Sequence, residues 1–334
     1  MLRGMNKPTA SLRSVCAALA LLLVGGVAAQ PALAASKRPA RASKPAAKAA
    51  EPRSPGDVLK ASPDADWRGL DPQNTLLMEL PQGRVLIELA SRFAPQHAAN
   101  IRALAHEGYF DDLAILRVQD NFVTQWGDPN GDDAKLAKPL GAASGHVPAE
   151  FSVPLKGLPL TRLRETDGWA PMNGFVDGFP VAADPKTGRA WLAHCYGMVG
   201  AGRAQEVDSS TGAELYAIIG QAPRALDLNI TVVGRVLQGI EFLSALPRGG
   251  ENMGFYDKPE QRTTIKSVHL LADLPEAERP QLQVLRTDSR TFSELLEARR
   301  HRSGWYVHSP ERVDLCSSSV PTRPVPAAAP AAAP

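Results

Sequence analysis

Both ends of this chain are written in residues that cannot build a core, so whatever folds must do so between them. Pro321 to Pro334 is Ala and Pro apart from Thr322, Arg323 and Val325. Ala35 to Pro55 is mostly Ala, Pro and Ser, with six basic residues (Lys37, Arg38, Arg41, Lys44, Lys48 and Arg53) against Glu51. Such segments bury too little apolar surface to offset the entropy of ordering them. The expected organisation is a disordered basic linker over 35–72, a disordered tail over 318–334, and one sizeable domain with additions in between.

Ahead of the linker, Arg3, Lys7 and Arg13 lead into an apolar run from Val15 to Ala29, broken only by Gly25 and Gly26 and followed by Ala32-Leu33-Ala34. A charged head, apolar middle and small-residue exit predict a signal peptide over 1–34, cut near Ala34, and a periplasmic or secreted product. The run falls short of the ~20 apolar residues of a spanning helix, and no later stretch is apolar enough, so no transmembrane segment is expected. The whole chain carries +2; removing the signal's three basic residues and the linker's net five leaves about −6 for the folded part. That balance argues against a nucleic-acid partner. The basic linker offers weak contact with an anionic cell envelope, or serves only as a solvated tether.

Within the folded part, Val85, Ile87 and Leu89 alternate with Arg84, Leu86 and Glu88, the period of a strand. Thr75 to Leu80 predicts its hairpin partner across Gln82-Gly83. Pro95 opens a helix whose apolar face is Ala98, Ile101, Leu104 and Ala105, with Gly108 placed to stop it. Short strands are expected at Ile115–Val118, Phe122–Trp126, Ala190–Cys195, Leu215–Ile219, Ile230–Val236 and Thr263–Leu271, and a short helix at Ile240–Leu246. Residues 157–189 are rich in Gly, Pro, Asp and Asn, and read as an irregular loop insertion. Ser289 to Arg300 predicts a last amphipathic helix, in a small C-terminal appendage over 274–317. Many short strands with two helices suggest a closed antiparallel barrel with helical plugs.

Several motifs fail. "GMVGAG" (197–202) lacks the G-x-G-x-x-G spacing and no helix follows it. "DPNGDD" (128–133) has Asp133 where a calcium loop needs Gly and Pro139 where it needs Glu. The seven histidines show no metal-ligand spacing, and no G-x-S-x-G elbow exists. Cleavage of the signal would remove Cys16 and leave Cys195 and Cys316, which either form a disulfide in an oxidising compartment or remain separate thiols.

The stretch "ILRVQDNFVTQWGDP" (115–129) offers one permanent cation, one aromatic and one amide, and nothing to carry protons. The order strand, strand, helix, then Arg-x4-Phe-x2-Gln-x-Gly-Asp resembles the cyclophilins, the peptidyl-prolyl cis-trans isomerases. "FAPQHAANIRALAHEGYF" resembles their first helix, "VPAEF" a loop after the signature, "GMVGAG" their Met-Ala-x-Ala-Gly segment, and "LDLNITVVGRVLQGIEFL" a later strand and helix. The resemblance covers about Gln73 to Leu271 and implies a mainly β fold: a closed eight-stranded antiparallel barrel with two capping helices, here a domain over 73–273. It also implies an isomerase of X-Pro bonds in unfolded or Pro-containing polypeptides, acting as a monomer without cofactor or metal.

By the same resemblance, Arg117 is the catalytic residue. Phe122, Met198, Tyr216 and Leu226 form the proline pocket, Gln125 holds the substrate backbone, and Ala201 lines the neighbouring groove. Taken alone, Phe122, Met198 and Leu226 read more readily as core. Rotation about X-Pro breaks no bond, so a fixed arginine suffices to stabilise the twisted amide. The chain departs from the family pattern at Leu116 (usually His), Glu214 (an amide), Tyr216 (Phe), Ala225 (Trp) and Ile230 (His). Glu214 in the substrate groove raises the prospect of a salt bridge that weakens the cation. The rival reading is a cyclophilin-fold binding module or chaperone for Pro-containing segments, with Trp169, Phe175 and Phe179 of the insertion as client surface. A third reading treats the domain as cargo tethered to the envelope.

Overall fold

The structure is a computed structural model that describes residues 53–131 and 133–326. The expected signal peptide and the linker up to residue 52 lie outside the described residues, as does the tail from residue 327.

The described chain opens with helix α1 (Pro55–Lys60) and strand β1 (Trp67–Gly69). Strands β2 (Thr75–Leu80) and β3 (Gly83–Leu89) form the expected hairpin, followed by helix α2 (Pro95–His106). Next come β4 (Ala114–Val118) and β5 (Val123–Gly127). The insertion region holds β6 (Val153–Pro154), β7 (Thr161–Arg162), β8 (Met172–Val176), β9 (Phe179–Asp184) and β10 (Arg189–Leu192). The chain then runs through β11 (Met198–Ala201), β12 (Leu215–Ile218), β13 (Val232–Gln238) and helix α3 (Ile240–Ser244). It ends with β14 (Thr263–Thr264), β15 (Ser267–Leu270), β16 (Leu282–Leu285), helix α4 (Arg290–Arg300) and β17 (Thr322–Pro324).

Nine strands form one curled antiparallel sheet in the order β14-β4-β5-β12-β11-β13-β3-β2-β15. Its concave side wraps an apolar core of Met78, Val85, Ile87, Ile115, Trp126, Val199 and Leu215, plugged by Ile101 and Leu104 of α2 and Leu243 of α3. The sheet is a curled half-barrel and not the closed eight-stranded barrel expected. The single strand expected over Thr263–Leu271 is split: Thr263 and Thr264 pair with β4, and Ser267 to Leu270 pair with β2. The two edges thus meet through one covalent segment that changes partner, because Ile265 donates to Leu113 and Lys266 to Glu79.

The insertion is not an irregular loop. Strands β8 and β9 form a hairpin inside a five-stranded sheet, order β6-β10-β9-β8-β7. Phe175 and Phe179 are buried in a second core, with Val123, Met198 and Tyr216 of the barrel's outer face and Phe292 and Leu295 of α4. Only Trp169 of the three aromatics expected at a client surface is exposed, at 58%. Glycine, proline and short polar residues marked the turns of this sheet and hid its short strands.

Two segments expected to be disordered are structured. Within 53–72, Ser54 caps α1 through the backbone N–H of Asp57, Pro55 starts it, and Val58 and Trp67 are buried. Within 318–326, β17 pairs with β16, which pairs with β1, so the first and last described strands join one three-stranded sheet. Arg323 stacks on Trp67 at 4.4 Å and pairs with Asp64. Polar, proline-rich pieces become ordered here because a distant segment supplies the surface they cover. The appendage is also held covalently: Cys195 and Cys316 form a disulfide, Cα atoms 4.9 Å apart. Among the described residues no helix is long and apolar enough to cross a membrane, and no group of His, Cys, Asp or Glu is arranged to hold a metal ion.

Candidate active site

The site residues lie in a row across four neighbouring strands. Arg117 of β4 is in register with Gln125 of β5, Gln125 with Tyr216 of β12, and Tyr216 with Gly200 of β11. Side chains alternate along each strand, so the residues between them (Trp126, Leu215, Val199) face the barrel core while this row faces outward. A register shift between Ile115 and Arg117 bends β4 beside the site, a common way to re-aim a side chain.

The Arg117 guanidinium is held from several sides. Nε donates to the carbonyl of Met253 at 2.6 Å, Nη1 to Oε1 of Gln125 at 3.0 Å, and Nη2 to Oε1 of Gln119. Its central carbon lies over the rings of Phe122 and Phe255, 5.4 and 5.2 Å from their centres. Only 7% of the residue is exposed. Burial pulls its pKa below the usual arginine value, and the nearby charge of Glu214 works against that. Cation–π contact and three hydrogen bonds leave the cation fixed in position, with part of its donor fork still to spare.

Gln125 connects the cation to Glu214. Its amide oxygen accepts from Arg117 and its amide nitrogen donates to Oε1 of Glu214. That is the only amide orientation that suits a cation on one side and a carboxylate on the other. Glu214 rests over the backbone of Gly127 and Gly202, where an added Cβ would approach it to 3.1 Å. A cleft of about 580 Å³, lined by Leu116, Asp128, Gly202, Glu214 and Phe255 among others, opens on this side.

On the other side, Phe122 is half-buried against a cluster containing Val123, Met198, Tyr216 and Ile218. The Tyr216 ring crosses Gly200 so closely that a Cβ there would lie 2.2 Å from it. Its hydroxyl lies 3.1 Å from Nε2 of His194, whose Nδ1 is 2.9 Å from Oδ1 of Asp227. Asp227 also accepts from Arg224 and Trp191, and Arg224 forks onto Asp167. Burial, then the charge of Asp227, push the Tyr216 phenol well above its ordinary pKa, so it stays a neutral donor.

Most of the residues expected from the sequence therefore come together: Arg117, Phe122, Gln125, Met198, Glu214 and Tyr216. Leu226 is half-buried in the turn Arg224–Leu226, next to Asp227. Ala201 is a correction. It is fully buried in the barrel core and lines no groove, because strand alternation puts it on the same face as Val199. Sequence reading missed Gln119, Met253 and Phe255 around the arginine, and His194 and Asp227 behind the tyrosine. Gln119 lies inside the signature; the others carried no local signal.

Residues 75–270 match the family model described as "Cyclophilin type peptidyl-prolyl cis-trans isomerase/CLD". The chain belongs to the cyclophilin-type peptidyl-prolyl cis-trans isomerases. A Brucella suis protein named "Probable peptidyl-prolyl cis-trans isomerase" is 27% identical over 187 residues, 54% of this chain and 75% of that protein. One of Schizosaccharomyces pombe is 47% identical over 49 residues, 15% of this chain and 32% of that protein. Among solved structures, cyclophilin AquaCyp293 from Hirschia baltica superposes with a TM-score of 0.64 at 26% identity, covering 78% of this chain and 94% of that one. That coverage is wider than the family match, so the likeness of this cyclophilin to AquaCyp293 extends beyond the barrel segment 75–270.

Proposed function

We propose that this cyclophilin isomerises X-Pro bonds of exported polypeptides, with Arg117 as the catalytic residue. The observation that carries this reading is the fixed guanidinium of Arg117 against the half-buried ring of Phe122, the residue expected in the proline pocket, with the buried Met198 and Tyr216 in the cluster behind it. A proline ring seated in that pocket brings its amide to the cation. As the bond twists it loses resonance, the nitrogen pyramidalises and the carbonyl oxygen regains charge. A preorganised donor favours that state over either planar isomer, with each ~1.36 kcal/mol of preference worth tenfold in rate. Gln125, in register with Arg117, offers the substrate backbone its amide.

The Cys195–Cys316 disulfide supports the exported setting, because such bridges persist in oxidising compartments. The chaperone-only reading is weakened by the burial of Phe175 and Phe179. The test is a protease-coupled assay on a short X-Pro peptide with the mature protein. Catalysis well above the uncatalysed rate, which takes ~10–100 s, is expected; none would leave a binding module.

A further inference from the structure

A second cleft, of about 500 Å³, lies between the insertion, the C-terminal appendage and the barrel. Trp169 and Tyr196 both line it, 58% and 49% exposed, an uncommon outlay of aromatic surface in a chain that buries its other insertion aromatics. Arg224 is buried in its wall, but Asp167 and Asp227 both pair with it, so its charge is more than balanced. Asp314 adds an exposed carboxylate on the appendage side. Aromatic faces beside excess negative charge suit a basic side chain, through cation–π contact and ion pairing together.

The cleft adjoins the turn that carries Phe122. Tyr196 is two residues before Met198. Gly220 and Gln221, also in the lining, pack on Asn121, the residue before Phe122, and Gln221 N–H donates to the Asn121 side chain at 2.7 Å. The wall residue Arg224 leads through Asp227 and His194 to the Tyr216 hydroxyl. A polypeptide with its proline at Phe122 therefore has this cleft close to its flanking residues.

We infer that the Trp169–Tyr196 cleft binds the client segment flanking the target proline and selects an Arg or Lys side chain there. The inference rests on the proposed isomerase reading for its occupant, and it uses surface that the insertion and appendage add to the barrel.

The test compares two substrates of the mature protein. One is a short X-Pro tetrapeptide; the other is a set of proline-centred peptides of about twelve residues with a single Arg moved through the flanking positions, and a Gln set as control. With wild type, one Arg register should lower KM by about fivefold against its Gln control. The Trp169→Ala/Asp314→Asn double variant, altered only at exposed positions, should lose that preference and keep wild-type turnover of the tetrapeptide. Equal KM for Arg and Gln peptides in wild type overturns the inference. So does a preference that survives the double variant, or a double variant that changes only self-association. If wild type turns over neither substrate, the isomerase reading fails, and calorimetric titration with the same Arg and Gln peptides still decides whether the cleft binds them.

Discussion

The hydroxyl of Tyr216 meets Nε2 of His194 at 3.1 Å in the barrel's outer wall, with Asp227 on the far nitrogen of the same ring. In a neutral imidazole this arrangement selects the tautomer in which Nδ1 donates to the carboxylate and Nε2 accepts from the phenol. A tyrosine where the family usually has phenylalanine is thus a built-in contact that fastens the pocket wall to the network reaching Asp167. Tyr216→Phe keeps the ring and leaves His194 Nε2 buried without a donor. It should lower unfolding stability by about 1–3 kcal/mol, read from urea denaturation, while short-peptide KM changes little. An unchanged midpoint would mean that the contact contributes nothing.

Arg117→Ala should reduce kcat/KM for an X-Pro peptide by about 100-fold or more, the scale of removing a preorganised donor at a developing charge. Arg117→Lys should recover little, because a point charge replaces the planar fork that reaches Met253, Gln119 and Gln125. Circular dichroism and melting should stay close to wild type. Wild-type turnover in a folded Arg117→Ala protein would remove Arg117 from the mechanism.

Glu214 acts on the cation through Gln125 and through its charge, which favours the charged guanidinium and also competes for it. Glu214→Gln should raise turnover by about three- to tenfold, the effect of ~1 kcal/mol less ground-state pairing. Melting is measured beside the rate, since losing one partner of a half-buried network can destabilise. Unchanged or lower turnover in a stable variant would leave Glu214 as a groove residue only.

Breaking the Cys195–Cys316 bridge frees an appendage 121 residues away in sequence. Chain entropy sets the loss at about 4–5 kcal/mol, so Cys316→Ser should melt markedly lower than wild type. Reductant should lower wild type to the same point and leave the variant unmoved. Two free thiols at Cys195 and Cys316 in denatured, unreduced protein would show that the bridge does not form.

Acid should unfold the protein through three paired carboxylates. In Asp227, burial pushes the pKa up, but hydrogen bonds from His194 and Arg224 and the arginine's charge hold it below the usual range. In Glu150, burial likewise loses to the His97 ring and the N–H groups of Gln96 and His97. In Glu165 the Arg300 hydrogen bond is the largest cause of a lowered value. A carboxyl whose pKa is lower folded than unfolded adds stability above its unfolded value, near ~4, and loses it as pH falls through the folded one. Urea midpoints should therefore hold from pH 7 to about 5 and fall below ~4. Asp227→Asn should show a lower midpoint at pH 7 and a shallower acid slope; a slope equal to wild type would clear Asp227 of the effect.

What the sequence determined by itself were the features carried by short-range periodicity. Alternation in Arg84–Leu89 and the stripe Ala98, Ile101, Leu104 and Ala105 specify a hairpin of the barrel wall and the helix that plugs it. The spacing of Arg117, Phe122 and Gln125 fits two strands and a turn, and puts cation and amide side by side. Those relations need only neighbouring residues and the geometry of strands and helices. The tertiary structure decided what depends on which distant surface arrives. Met253 and Phe255 reach Arg117 from about 136 residues away, and His194 finds Tyr216 from 22 residues away. Ala201 turns inward because its strand alternates with Met198 facing out. The pieces around Val58, Trp67 and Arg323 hold too little apolar surface to order themselves, and they do so against α4, β16 and one another. A backbone's own preferences are local, whereas burial is shared between segments, and it was burial that chose the partners.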